Sequence, residues 1–471
     1  MLLNLPDPVP APKSKSAADR ATLHVVSEIV DHGLCVRCGM CLPACPYDIL
    51  GLDRRLYPEM LDESRCPPNC DACLRVCPGQ EVNYPQLSQE LFGTVPDPLS
   101  VAGAARRLVA AHSTDPVIRE SGSSGGVVSQ LLVWMLEKGY IQGALVVKND
   151  FSTNAQSTPF VATTREQILG SCGSKYTIIP LDMAFDQVFK TPGPIAMVGV
   201  PCHIHAVRKY QKIRKSLNDK LPLIIGLACH MAFEPECLED LLAKNKIPER
   251  DVRSVSFRSG KWPGGIQATV AGGRKQNLHK SDVKSGAYNY LARLYYPERC
   301  LTCTDFSAEL ADLMVSDPWM RNDDGDYMFK DSRSLVLLRS EKAERLFMEA
   351  VADGVLEYVE LPVSMFDEQF GAFVRHKKVH APMRVEELRR SGRRHPEYFT
   401  AYPEPTPEQR RGLAFDKFSR ILGKSRLGQK IGVTLAFSWP GVLFGKLREI
   451  QKKRNYLKRV RARKAAQASA S

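Results

Sequence analysis

Residues 35–46 read CVRCGMCLPACP, which places Cys35, Cys38, Cys41 and Cys45 at C-x2-C-x2-C-x3-C with Pro46 behind them. In that run three closely spaced thiolates wrap one 4Fe–4S cubane and the fourth reaches across to a second. A second run follows at residues 66–78, CPPNCDACLRVCP, with Cys66, Cys70, Cys73 and Cys77. Its first spacing is C-x3-C, a departure that a loop can absorb. The crossover pattern assigns Cys35, Cys38, Cys41 and Cys77 to one cluster, and Cys66, Cys70, Cys73 and Cys45 to the other. Zinc and disulfides compete as readings, but three cysteines in seven or eight residues with a trailing Cys-Pro, in two successive runs, fit neither well.

Working outward, this predicts a ferredoxin-like module carrying two clusters near the start of a much longer chain. The 471 residues are enough for two to four domains. Hydrophobic residues make up 44% and charged residues 25%, which is ordinary for a soluble globular protein. The first residues, MLLNLPDPVPAPKSKSAADR, lack a basic start and an apolar run and read as a disordered leader. Fourteen cysteines in a chain expected to stay in a reducing cytoplasm point to ligand or catalytic roles over disulfides. The net charge of +13 is uneven: residues 446–471 hold ten Lys or Arg against one Glu, leaving +4 for the other 445 residues.

Beyond a Pro-containing stretch at 93–100, GTVPDPLS, which reads as a linker, short apolar runs alternate with helical patterns. IAMVGV at 195–200 and LIIGLA at 223–228 read as strands covered on both faces, with a helix between them. The fold class is therefore a mixed α/β core. Two Gly/Ser-rich turns stand out. ESGSSGGVVSQLL at 120–132 opens a helix, and GSCGSKY at 170–176 carries Lys175; small residues before a helix N-terminus suit a phosphate, while a flexible turn capped by Ser124 explains the first almost as well. Cys202 follows the first buried strand and Cys229 the second, both at strand ends where α/β sheets build their sites. With Cys300 and Cys303 of RCLTCT they make four thiolates, enough for a third cubane. A zinc site on the same four, or a dithiol switch at the C-x2-C pair, remain the alternatives. His203, His205 and His230 are expected to support these ligands from behind, and Cys172 and Cys237 to be plain buried residues.

The ordered set SGSSGGVVSQLL, GSKY, GVPCHIHAVRK, IGLACH and CLTCTDFSAELADLMVSDPW resembles the family of beta subunits of coenzyme F-420 hydrogenases and dehydrogenases, over roughly residues 100–375. The resemblance implies an FAD-binding α/β flavoprotein with a cluster beside the flavin, and a two-cluster module fused in front is known among family members. It divides the chain into a leader (1–25), the ferredoxin-like domain (26–92), a flavin-binding region (100–188), a third-cluster region (189–375) and a C-terminal extension with a basic helical tail (376–471). It makes Ser124, Gly125, Gly126, Ser174, Lys175 and Tyr176 candidates for flavin contact, and Asp312 and Asp317 candidates near the flavin or its cluster. Ser316 and His203 stand where members often have Gly and Gln, which leaves the ligands intact and the substrate open.

The implied activity is an oxidoreductase relay between a two-electron carrier, reduced deazaflavin coenzyme F-420 or similar, and one-electron carriers. Reduction of a tetrapyrrole-like or other organic substrate with ferredoxin electrons, and an electron-wiring subunit without its own substrate, are the alternatives. Expected partners are a small-molecule substrate and a redox protein such as ferredoxin or another complex subunit. RSGKWPGG at 258–265, with Arg258, Lys261 and Trp262, reads either as a grip on an anionic substrate or as an exposed hairpin loop. The run IGVTLAFSWPGVLFG at 431–445 is too short and interrupted to span a membrane; with the basic tail it suits membrane-surface contact, and Leu447, Ile450, Leu457 and Val460 suggest an apolar stripe for a partner. No nucleic-acid reading motif accompanies the charge.

Overall fold

The structure, a computed structural model, describes residues 23–153, 156–260, 264–278, 287–329 and 331–470. Most of the leader expected at 1–25, and Lys261 and Trp262 of the RSGKWPGG segment, lie outside the described residues.

The cysteine-rich segment is short of regular structure. A two-stranded antiparallel hairpin, β1 (Leu50–Leu52) and β2 (Pro58–Met60), follows the first run. The helix α1 (Tyr84–Phe92) follows the second and stops at Gly93, whose φ of 71° supplies the left-handed C-cap.

The core is one eight-stranded sheet. Its strands are β3 (Arg107–Ser113), β4 (Gly143–Asn149), β5 (Ser157–Ala162), β6 (Ile195–Gly199) and β7 (Leu223–Leu227). A separate three-stranded sheet, β8 (Val252–Ser259), β9 (Gly265–Val270) and β10 (Lys275–Asn277), intervenes in the chain. The large sheet then continues with β11 (Leu313–Ser316), β12 (Ser334–Leu338) and β13 (Leu356–Leu361). The order across it is β13-β3-β12-β11-β7-β6-β4-β5. β4, β6, β7 and β11 run parallel, and β3 points the same way because it is antiparallel to β12, which is antiparallel to β11.

The pleat sends alternate residues into two cores. Leu145, Met197, Ile224 and Met314 enter one; Ala144, Val146, Ala196, Ile225 and Val315 enter the other. That is why β6 and β7 are apolar without interruption. The helix α2 (Val127–Glu137) packs into the second core, and α3 (Pro201–Ile213) into the first. Cys38, Met40, Val76, Val82, Tyr84 and Leu87 of the cysteine-rich segment share that first core with the sheet. The stretch read as a linker leads straight into it, since Val101 and Ala102 are buried and both donate their N–H to the Asp367 carboxylate at 2.8 and 3.0 Å.

The C-terminal extension winds back over the core. After the π-helix Val374–His380 and the helix Ala381–Arg390 come α4 (Pro407–Phe418), α5 (Arg426–Ala436) and the 32-residue α6 (Trp439–Ala470). Among the described residues no helix is long and apolar enough to cross a membrane. Of the four apolar residues singled out on the tail, Val460 is buried and Leu457 is half-buried beside Gly325 of the core, whereas Leu447 and Ile450 are exposed.

Candidate metal centres

All fourteen cysteines are free thiols, and twelve gather into three groups of four. Cys35, Cys38, Cys41 and Cys77 are buried and lie within one another's electrostatic reach. Burial, then the neighbouring Cys77, pushes the Cys35 thiol up to about 12, and burial raises Cys41 well above its ordinary range. Four such thiols cannot ionise together unless a cation shares the site, which is the chemistry of a metal or cluster ligand set. The loop aims amides at the sulfurs, as Cys35 Sγ accepts the Arg37 N–H and Cys77 Sγ the Gly79 N–H, both at 3.3 Å. Gly79 is required there, because a Cβ would stand 2.6 Å from the Leu34 carbonyl.

Cys45, Cys66, Cys70 and Cys73 form the second group. Cys66 feels Cys70 and Cys45, and Cys73 feels Cys45, Cys70 and Cys66. Cys73 is buried, and Cys45, Cys66 and Cys70 are half-buried.

The third group assembles at the carboxyl ends of adjacent parallel strands. Cys202 opens α3 immediately after β6. Cys229 follows β7 and is held by its N–H to the Phe306 carbonyl at 2.8 Å. Cys300 and Cys303 come from the 3-10 turn Glu298–Thr302 and the residue after it. Cys202 feels the charges of Cys38, Cys229, Cys300 and Cys303. Burial pushes Cys229 up to about 12, against the pull of Lys377. Cys202 lies within electrostatic reach of Cys38 of the first group, and Cys41 within reach of Cys73 of the second. The first group, all buried, therefore stands between the other two, whose thiols are half-buried apart from Cys73.

Basic side chains lock the cysteine-rich segment onto the core. Arg299, beside Cys300, donates to the Leu34 and Pro78 carbonyls at 3.0 Å each. Lys209 donates to the Cys77 carbonyl at 2.9 Å, Arg37 pairs with Glu234 at 2.6 Å, and Tyr210 donates to the Pro43 carbonyl at 2.6 Å. Sequence reasoning missed these and also missed Lys377. That lysine is 3% exposed and carries its charge beside Cys303, Cys229 and Cys300. In RHKKVH it looks like a solvated basic run, with no local signal that the π-helix turns it inward. Its neighbour Lys378 is equally hidden and pairs with buried Glu309 at 2.5 Å. The three histidines support from behind: His203 bonds the Ile179 carbonyl at 2.9 Å, His205 bonds Asp305 at 2.8 Å, and His230 packs on His376 and Phe373. Cys172 shares a hydrogen bond with Ser129, and Cys237 sits in the apolar core beneath β8–β10.

The two Gly/Ser-rich turns meet at this same end of the sheet. Ser174 donates through its N–H and its hydroxyl to Ser123 Oγ, at 2.8 and 2.9 Å. The glycines have a packing reason of their own. A Cβ at Gly125 would stand 2.5 Å from the Ala111 carbonyl and 2.7 Å from the Ser334 amide, so the chain itself fills that space. Gly126, at φ 74°, is the N-cap of α2; Ser124 does not cap it and instead bonds Ser334 Oγ at 2.7 Å. Lys175 suits an anionic group better. Burial lowers its ammonium to about 8, and it donates to the carbonyls of Ser171, Cys172 and Gly173, at 2.5, 3.0 and 3.0 Å. Tyr176 stacks on Phe233 and receives a hydrogen bond from Arg258 at 3.3 Å. Arg258 in turn forks onto Asp317 at 2.6 and 3.1 Å, directly after β11. Asp312 holds Arg208 at 3.0 Å and the Ile224 amide at 2.9 Å beneath the sheet, which makes it a brace. The residues fit a flavin in charge and aromatic character; its phosphate cradle is not visible in the glycines. None of the six flavin candidates lines the cavity of about 300 Å³ bordered by Arg37, Arg54 and Arg55.

Three tetrathiol groups on an α/β sheet define an iron–sulfur electron-transfer protein. More narrowly, the chain belongs to the family of coenzyme F-420 hydrogenase/dehydrogenase beta subunits, whose N-terminal model matches residues 108–185 and whose C-terminal model matches 193–363. A 4Fe–4S binding domain model matches residues 28–50, which includes the first cysteine run only. The coenzyme F-420-dependent sulfite reductase of Methanocaldococcus jannaschii is 29% identical over 68% of this chain and 46% of its own length. The chain thus spans about half of that relative. One subunit of the F(420)H(2) dehydrogenase of Methanosarcina mazei is 27% identical over 68% of this chain and 84% of its own length. A chain of the F-420-reducing hydrogenase complex of Methanosarcina barkeri shares 24% identity with a TM-score of 0.49, over 64% of this chain and 97% of that one.

Proposed function

We propose that this chain is an FAD-dependent iron–sulfur oxidoreductase. It relays electrons between a two-electron carrier, reduced deazaflavin coenzyme F-420 or similar, and one-electron carriers. The observation that carries the reading is the series of three tetrathiol groups, which starts half-exposed and ends at the carboxyl edge of the sheet near Tyr176, Arg258 and Asp317. Cys45, Cys66, Cys70 and Cys73 hold the outer 4Fe–4S cluster, Cys35, Cys38, Cys41 and Cys77 the middle one, and Cys202, Cys229, Cys300 and Cys303 the inner one. A bound flavin supplies the exchange between two-electron and one-electron chemistry. Lys175 offers its buried ammonium to the anionic part of that group, the Ser123–Ser174 bridge holds the two turns together, and the Arg258–Asp317 pair fixes the wall beyond Tyr176. Desolvation dominates at the inner thiols Cys202 and Cys229, and the outer group, with Cys45, Cys66 and Cys70 half-buried, faces a redox partner such as ferredoxin or another complex subunit.

One finding favours a second reading, that of a wiring subunit without its own substrate: the sulfite reductase relative extends well beyond the matched region. Anaerobic reconstitution of the purified chain tests both. We expect about twelve irons, three cubanes of four, and one flavin, with oxidation of reduced coenzyme F-420 in the presence of a one-electron acceptor dye. Absence of flavin, or about eight irons, overturns the first reading. Full cofactor content without activity on coenzyme F-420, NAD(P)H or ferredoxin selects the second.

A further inference from the structure

The C-terminal helices carry a run of large apolar side chains left in solvent. On α5 the inner face is small and buried: Gly432 sits where a Cβ would meet Leu294 at 2.4 Å, and Val433 joins the core beneath β8–β10. The outer face is Leu427, Ile431 and Leu435, a four-residue stride, all exposed. On α6 the stride resumes with Trp439, Leu443, Leu447 and Ile450; Trp439 is 77% exposed. The opposite face of α6 is docked. Glu449 pairs with Arg321 at 3.2 Å, Lys453 with Asp326 at 2.7 Å, and Tyr456 donates to the Arg321 carbonyl at 2.9 Å.

Past Ile450 the outward stride does not end; it changes character. Arg454, Lys458 and Arg461 continue it, all exposed. The one carboxylate between residues 439 and 461 is Glu449, which is turned inward. One face therefore presents an apolar row with a tryptophan, then a cationic row, and no acid. We propose that α5 and α6 seat this protein flat on an anionic lipid surface. The apolar row enters the headgroup–acyl boundary, and Arg454, Lys458 and Arg461 lie over the headgroups. The charge complementarity names the occupant, and the shape agrees: two convex helical rows suit a fluid apolar layer that conforms to them. Docking there sets the protein's orientation and goes beyond the electron relay, from which it is independent.

The full chain, mixed with vesicles of phosphatidylcholine with phosphatidylglycerol, is expected to sediment with them, and to bind vesicles of phosphatidylcholine alone at least about tenfold more weakly. The double variant Leu443→Glu/Leu447→Glu, and separately Arg454→Glu/Lys458→Glu, should each cut binding to the anionic vesicles about tenfold or more while circular dichroism and iron content stay as in the parent. Tryptophan emission should shift to the blue on adding anionic vesicles, and the shift should vanish in Trp439→Phe. The proposal is overturned if the parent ignores anionic vesicles, if either double variant binds as the parent does, or if the emission shift survives in Trp439→Phe. It is also overturned if Leu443→Glu/Leu447→Glu converts a stable dimer to monomers while the parent ignores lipid, since a second copy then covers the face.

Discussion

On the proposed relay Cys300 joins three thiols from elsewhere in the chain as ligands of the inner cluster, so its loss breaks that set and spares the rest. Cys300→Ser should lower iron from about twelve to about eight per chain, with the two outer clusters still visible by electron paramagnetic resonance and electron flow between flavin and the outer module abolished. Full iron content with intact electron flow would sink the four-thiol assignment. Lys377 acts on the same site by charge. Lys377→Met should lower the reduction potential of the inner cluster, because added negative charge is no longer offset by a nearby ammonium, an effect on the order of 1 kcal/mol or more per electron. A redox titration monitored by paramagnetic resonance reads this directly, and an unchanged potential would remove Lys377 from the site. No local pattern in RHKKVH separates Lys377 from a solvated lysine; only the π-helix that turns it inward does so.

At the scale of elements, the extension is clamped by one buried carboxylate. Asp416 on α4 accepts from Arg384 at 2.5 Å and from Arg420 at 2.9 Å. Burial alone would raise its carboxyl, but the hydrogen bond and charge of Arg420, followed by Arg384, outweigh it and hold the group well below the usual carboxylate range. A depressed folded value means the stabilisation is present above the unfolded value, about 3.9, and is lost as pH falls below it. Melting temperature should therefore fall between pH 5 and 3 more steeply in the parent than in Asp416→Asn. That variant should cost about 3 kcal/mol near neutrality, since it leaves two buried guanidiniums without their partner. Equal acid slopes would show that the clamp does not contribute. The strands were easier to read than this clamp. β6 and β7 are unbroken apolar runs followed at once by Cys202 and Cys229, so both the strands and their chemistry lie in contiguous sequence. The glycines are harder to read for the opposite reason: the close packing at Gly125 comes from Ala111 and Ser334 on strands β3 and β12.

For the molecule as a whole, the cysteine-rich segment keeps a small cluster of its own around Ile29, Leu34, Leu50 and Leu74 and places Cys38, Met40, Val76 and Tyr84 in the core of the sheet. Heating under anaerobic conditions should give one cooperative transition, and a separate early loss of the outer clusters' absorbance would contradict that shared core. Arg299→Ala should slow electron transfer between the inner and middle clusters while leaving iron content near the parent's, because it removes the bonds to Leu34 and Pro78 and touches no thiolate. Fast transfer in that variant would show that Arg299 is not needed for alignment.

What the sequence determined by itself was the inventory of candidate ligands. Cluster ligands in short runs are set by spacing, and strand ends by apolar runs, so Cys35 to Cys77 and the positions of Cys202 and Cys229 could be read locally. Tertiary structure alone decided what lies between the sites: that Cys38 meets Cys202, that Lys377 turns inward, and that Leu447 faces solvent while Val460 does not. Those facts depend on contacts between residues tens to hundreds of positions apart, and no local period or spacing encodes such contacts.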